Sequence, residues 1–295
     1  MYIRVSNSGC PKLVEWLALS LMKLSISTLV CPTWSWPQIV GAASAYGVDG
    51  VDPRGLGPEI DVTKLPTFDA ELDASMKLLH QHGLDMPCLN TSIALVTAAP
   101  ERWEMMLSEC HRYARLAERS AAKFLRVFGG AVPKGMSRGE GVVMARRHLR
   151  QLAKMCLPHR CTVLVETHDE WAIGADAMEL LDGFSPQEVG VLWDVEHPVR
   201  KGEEPHVTAE MLKKFIRHVH FKDSVMEDGK NIPRLLGEGD LPLGEAVRAM
   251  KGIGYDGWVC LETEKRWHPQ AAPEPEESVP QFKRWMDQHW NGSRG

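Results

Sequence analysis

Residues 163–171 read VLVETHDEW, and this stretch decides the fold. Val163, Leu164 and Val165 follow Cys161 and Thr162 as an apolar, β-branched run, the composition of a buried strand. The run ends on Glu166, His168 and Asp169, three ionisable groups within four residues. Burying a carboxylate is costly unless a cation or hydrogen bonds compensate. A strand that finishes this way predicts a positive partner waiting at its end.

Working outward, the same unit recurs. Short β-rich runs fall at 24–30, 48–53, 84–90, 123–129, 161–167, 189–194, 217–223 and 257–262. Helical patterns separate them, among them 69–83, 100–122, 137–157, 208–217 and 243–254. In the third of these, Leu149, Leu152 and the pair Met155–Cys156 recur at helical spacing. Eight strands, each followed by a helix or helical loop, predict an α/β fold of the (β/α)8 barrel type in one domain, residues 22–269. A doubly wound open sheet also alternates strand and helix. It normally carries a glycine-rich loop after its first strand, and LVCPTWSWP (29–37) is unlike one.

The 295 residues are 44% hydrophobic and 25% charged, a soluble globular composition. A formal charge of -5 argues against a nucleic-acid partner. Seven cysteines without a CxxC pair predict reduced thiols and a cytoplasmic setting. Residues 1–21 read as an N-terminal extension, either an upstream-start artefact or a short helix. The uncharged run Trp16 to Met22 is too short to span a bilayer, so no membrane association is expected. Residues 270–295 read as a Pro/Glu-rich turn, with EPEE (274–277) solvated, and then a C-terminal helix. Trp285 and Trp290 on that helix make it a candidate interface in a homo-oligomer.

Four consecutive strands end in carboxylates or imidazoles. After Glu166 come LWDVEHP (192–198), with Asp194 and His197, and HVHFKD (218–223), in which His218, His220 and Lys222 alternate to one face. CLETEKRW (260–267) then offers Glu262 and Glu264. The C-terminal ends of barrel strands form the catalytic face. Three carboxylates together there would repel unless a cation sat among them. A divalent metal held by Glu166, Asp194, His220 and Glu262 resolves the conflict. Three oxygen donors and one nitrogen favour Mn2+ or Mg2+, with Co2+ or Zn2+ also compatible. The competing reading is a solvated rim of salt bridges.

ETHDEW (166–171), LWDVEHP, HVHFKD, GEGDLP (237–242) and GYDGWVCLETEKRW (254–267) together resemble the xylose isomerase-like TIM barrels, in the sugar phosphate isomerase/epimerase group. The resemblance runs from about Met22 to Pro269. It implies that Glu166 and Glu262 bind metal and act as the catalytic acid/base couple, with Asp194 and His220 completing the metal shell. It also implies that His197 contacts a substrate oxygen. The family's ketose epimerases carry an arginine six residues after the ligand histidine, where this chain has Met226.

The implied chemistry is divalent-metal-dependent sugar isomerisation or epimerisation, by proton transfer through an enediolate. A dehydratase of an inosose- or dehydroshikimate-like ketone is the alternative on the same scaffold. A non-catalytic sugar-binding barrel is another. A zinc-dependent endonuclease of the apurinic type needs additional histidines on the early strands, which are absent there. Further candidate substrate contacts are His168, Lys222, Arg54, Arg126, Trp34 and Trp36. Each has a structural alternative: His168 as a loop residue, Lys222 paired with Asp223 or Glu262, Arg54 paired with Asp52, and the tryptophans as a barrel cap. His218 reads as a packed, satisfied polar residue below the metal layer, and Cys88 and Cys260 read as core residues.

Overall fold

The structure, a computed structural model, describes residues 22–291. The expectation for residues 1–21 lies outside that range. Eight strands form one parallel sheet: β1 (Lys23–Ser27), β2 (Gly50–Asp52), β3 (Cys88–Ala94), β4 (Phe124–Phe128), β5 (Thr162–Glu166), β6 (Val189–Asp194), β7 (Ile216–Phe221) and, later in the chain, β10 (Trp258–Leu261). Between the last two lies an antiparallel hairpin, β8 (Asp223–Glu227) and β9 (Lys230–Arg234). The sheet order is β2-β1-β10-β7-β6-β5-β4-β3. The two end strands meet through a single parallel bridge, Gly50 to Asp85, and a bond from Asn90 N to Pro53 O of 3.1 Å. The result is a nearly closed (β/α)8 barrel.

Helices α1 (Trp36–Ala45), α2 (Leu72–Gln81), α3 (Pro100–Ser120), α4 (Arg138–Cys156), α5 (Gly174–Leu181), α6 (Glu196–Arg200), α7 (Pro205–Leu212), α8 (Leu243–Gly252) and α9 (Pro275–Met286) occupy the connections and the C-terminal end. Their starts are set locally. Ser137 and Glu140 cap α4 reciprocally, with Ser137 N donating to Glu140 Oε2 at 2.8 Å and Glu140 N to Ser137 Oγ at 3.3 Å. Pro275 opens α9 with Glu276 and Glu277 in its first turn, where the helix dipole favours acids. These two glutamates therefore belong to a helix and not to the solvated turn that their sequence suggests.

Strand periodicity divides the interior into two zones. Val163, Val165, Val191, Trp193, Val219 and Phe221 point outward into the main core under the helices. The alternate residues point into the barrel. Low in the barrel, Cys88, Leu164 and Leu192 make a small apolar cluster backed by Phe124. One step further along the same strands come Asn90, Arg126, Glu166 and Asp194, all buried. A period of two therefore carries the chain from apolar floor to charged rim on the same face.

Three differences from the sequence reading have a clear local cause. The third strand begins at Cys88 instead of residue 84, because Pro87 has no N–H for the ladder; its carbonyl accepts from Lys123 N and Phe124 N. The first strand stops at Ser27, whose hydroxyl accepts from Leu29 N at 3.2 Å and starts a 3-10 turn. The β8–β9 hairpin is an addition to the expected barrel. Its turn is Asp228–Gly229, with φ of 48° and 74°, the Asp-Gly signature of a tight hairpin.

Candidate active site

The rim cluster is assembled by the parallel registers. Glu166 of β5 pairs in register with Leu192, Asp194 of β6 with His220, and His220 of β7 with Cys260, two residues before Glu262. His220 Nδ1 donates to Glu166 Oε1 at 3.0 Å and lies 4.0 Å from Glu262 Oε1. Asp194 is fixed by Glu196 N, which donates to its Oδ1 at 2.8 Å. Glu166, Asp194 and His220 are thus brought together, while Glu262, also buried, stands beside them and outside that group.

Two cations are built into the cluster. Arg126 Nε lies 3.4 Å from Glu166 Oε2, and the guanidinium is held by Asn90 Oδ1 (3.2 Å) and Thr91 O (3.1 Å) over the Phe128 ring. Lys222 Nζ sits 2.9 Å from Asp194, 2.8 Å from Glu262, 3.4 Å from Glu264 and 3.8 Å from Glu196. Of the two structural alternatives for Lys222, the pair with Glu262 is present. Asp223 instead accepts backbone N–H bonds from Ser224, Gly237, Gly239 and Leu241, which shape the 237–241 loop.

These contacts set the charge states. Burial pushes Glu166 up, but Arg126 and His220 outweigh it and hold the carboxyl well below the ordinary range. Burial pushes His220 down, and Glu262 and Glu166 reverse this, so its value is raised. Burial also opposes the Lys222 charge, yet Asp194 and Glu262 raise it well above the usual lysine value. His197 goes the other way. Burial, then Lys222 and His168, lower it to about 3, so its imidazole is neutral.

The remaining candidates separate into two groups. His197 Nε2 is 3.7 Å from Asp194 Oδ2, and its ring meets His168 edge-on at 4.1 Å. His168 is held by Asp169 at 2.8 Å. Arg54 donates to Ser92 Oγ at 3.0 Å and not to Asp52, which is taken by His218. Burial and the neighbouring Arg126 lower Arg54 to about 10. Trp34 is partly buried against the core. Trp36 is not brought to the cluster: it packs on Phe68 at 5.1 Å and donates to Ser75 O in the outer layer. Glu196 is a rim residue that the sequence reading passed over. It bonds Ser224 Oγ and pairs with Arg200 at 3.4 Å, and its only sequence signal is its place two residues after Asp194.

Glu166, Asp194 and His220 each offer a ligand atom within 4.8 Å of the others. Lys222 balances part of the charge of four carboxylates, and Glu166 Oε2 accepts no hydrogen bond. The donor set, carboxylate oxygens and one imidazole, therefore fits a divalent cation. No helix among the described residues is long and apolar enough to cross a membrane.

Comparison with known proteins extends this picture. Residues 40–289 match the profile of the xylose isomerase-like TIM barrel. An inosose dehydratase from Lacticaseibacillus casei is 27% identical over 132 residues, 40% of this chain and 43% of that one. The chain thus spans under half the length of the curated relatives it matches. Among solved structures, an IolI protein with a binding zinc atom superposes with a TM-score of 0.77 at 16% identity, over 92% of this chain and 99% of that one. A D-tagatose 3-epimerase-like protein superposes with a TM-score of 0.75 at 14% identity, over 93% and 100%.

Proposed function

The chain belongs to the xylose isomerase-like TIM barrel family, and from that premise we propose that it is a metal-dependent enzyme moving a proton next to the carbonyl of a small carbohydrate, as an isomerase or epimerase. The observation that carries the reading is the placement of two buried glutamates about one imidazole: Glu166 at 3.0 Å and Glu262 at 4.0 Å from His220 Nδ1.

Glu166, Asp194, His220 and Glu262 would hold the cation, Mn2+ or Mg2+ by donor type. When bound, it supplies positive charge to the substrate's carbonyl oxygen, which eases loss of the neighbouring proton. The chain's own residues do the rest. Arg126 keeps Glu166 ionised, so that it can accept a proton. Lys222 orients Glu262 through its Oε2, leaving the other oxygen free toward the cluster. One glutamate takes the proton and the other returns it. His197, neutral, offers an N–H to a substrate oxygen without adding charge. His168, Arg54 and Trp34 are the other residues proposed to line the substrate.

The curated relative favours a second reading. Dehydration would begin with the same proton removal and then expel a β-hydroxyl, and the 27% identity over 132 residues with an inosose dehydratase supports that outcome here. Proton NMR in D2O separates the two, using ketoses, aldoses, hydroxypyruvate, inosose and dehydroshikimate with and without metal. Metal-dependent exchange beside the carbonyl with an epimer or isomer as product supports the first reading, and an enone product the second. Full activity in Glu262→Gln would overturn the acid/base role of Glu262, and no exchange in any compound with either metal would leave a non-catalytic sugar-binding barrel.

A further inference from the structure

Beneath the rim lies a second ionisable cluster, which shares only His220 with the proton-transfer site. Asp52 of β2, His218 and His220 of β7 and Cys260 of β10 each place one ligand atom within 4.8 Å of the others. All four are essentially inaccessible to water, with exposures of 0%, 0%, 1% and 0%. Barrel interiors are normally filled by branched apolar side chains. Here the alternation of β7 sends two imidazoles inward, and Cys260 lies beside His220 in parallel register.

The hydrogen bonds of this cluster are incomplete. Asp52 Oδ2 accepts from His218 Nε2 at 2.6 Å and from Ser25 Oγ at 3.2 Å. Asp52 Oδ1, His218 Nδ1 and His220 Nε2 have no partner. A buried polar atom without a partner costs about 1–3 kcal/mol, so three in one place demand an explanation. Their chemistry supplies one. A thiolate, two imidazoles and a carboxylate make a four-donor set typical of zinc.

We propose that Asp52, His218, His220 and Cys260 form a second, interior site for a zinc-type divalent cation. The site does not need a metal at the rim. His220 offers Nδ1 to the rim carboxylates and Nε2 to the interior, so where the rim reading also holds, one histidine joins the two sites as an imidazolate, its Nδ1 proton having left to solvent. On binding, the Cys260 thiol proton leaves to solvent. The hydrogen between His218 Nε2 and Asp52 moves to Nδ1, the tautomer that frees Nε2 as a ligand. One thiolate and one carboxylate then neutralise the dication, which removes the net charge that burial penalises.

The test is full-length protein produced in cells supplied with cobalt in place of zinc, read by metal analysis and absorption. A sulfur–cobalt charge-transfer band in the near ultraviolet, lost in Cys260→Ser together with one metal equivalent per chain, is the expected result. The rim donors contain no sulfur and cannot give this band. Visible cobalt bands without it leave the rim reading standing and overturn this one. The band with a single equivalent supports the interior site and counts against the rim. A band that survives Cys260→Ser overturns the proposal. Zinc-edge X-ray absorption of the wild-type chain covers the case where that variant does not fold. One sulfur at about 2.3 Å supports the site, and a shell of nitrogen and oxygen only overturns it.

Discussion

The rim and the layer beneath it are both buried and both ionisable, yet they are wired differently. At the rim, each carboxylate has a cation: Arg126 for Glu166, and Lys222 for Asp194 and Glu262. In the lower layer one carboxylate meets one histidine, and three polar atoms stay without a partner. The rim connects through half-buried His168 and His197 toward solvent, where a substrate can arrive. The lower layer is closed on all sides. The difference teaches where a substitution should register: at the rim in turnover as well as stability, below it in stability alone.

The largest effect expected is Glu166→Gln, which keeps the side-chain volume and removes the proposed proton acceptor. Turnover should fall by about 10²–10⁴-fold, and the unfolding midpoint should also drop, because Arg126 loses its buried counter-charge. A steady-state assay on whichever compound exchanges in D2O checks this; a fall of less than tenfold would merge rim with scaffold.

His218→Leu should register in stability alone. It leaves the Asp52 carboxylate buried without its imidazole donor, and breaking such a pair costs about 3–5 kcal/mol. Denaturant unfolding reads the loss, and adding Asp52→Asn should recover part of it, since the unpaired charge then disappears.

A smaller effect is expected where the rim is braced. A Cβ on Gly239 would sit 2.0 Å from Asp223 Oδ1 and 2.5 Å from Ser224 O. Gly239→Ala should therefore displace the loop held by Asp223 and cost about 1–3 kcal/mol. An unchanged melting temperature would show that the loop is not under such constraint.

The smallest effect comes from the outer layer, as a control on both. His148 of α4 is buried, bonds Leu95 O through Nδ1 at 2.7 Å and stacks on Trp103 at 3.7 Å. Burial lowers its value below the ordinary 6.5. The unfolded chain therefore binds this proton more readily, and stability complete above pH 6.5 declines as pH falls below it. Melting curves across that range for wild type and His148→Asn should converge toward acid pH. Parallel curves would assign the acid sensitivity elsewhere.

Much of this was legible in one dimension. Strand and helix periods differ, so alternation of the two reads directly as a barrel, and the position of Glu166, Asp194, His220 and Glu262 at strand ends points to one rim. Local chemistry explains what was misplaced. Pro87 delays the third strand, and Asp228–Gly229 signals a hairpin that went unread inside an otherwise repeating βα pattern. Arg54 illustrates a different failure. Asp52 is its close sequence neighbour, but strand alternation and the barrel closure give Asp52 to His218, 166 positions away.

By itself the sequence determined the repeating βα units, because hydrophobic period is a property of neighbouring residues, and it determined which side chains stand at the strand ends. Only the tertiary structure decided which charges neutralise which. It turned Lys222 onto Asp194 and Glu262, set Arg126 against Glu166, drew Trp36 into the outer layer, and gathered Asp52, His218, His220 and Cys260 in the barrel interior. Such pairings depend on distances of a few ångströms between strands far apart in the chain, and these are fixed by register and barrel closure.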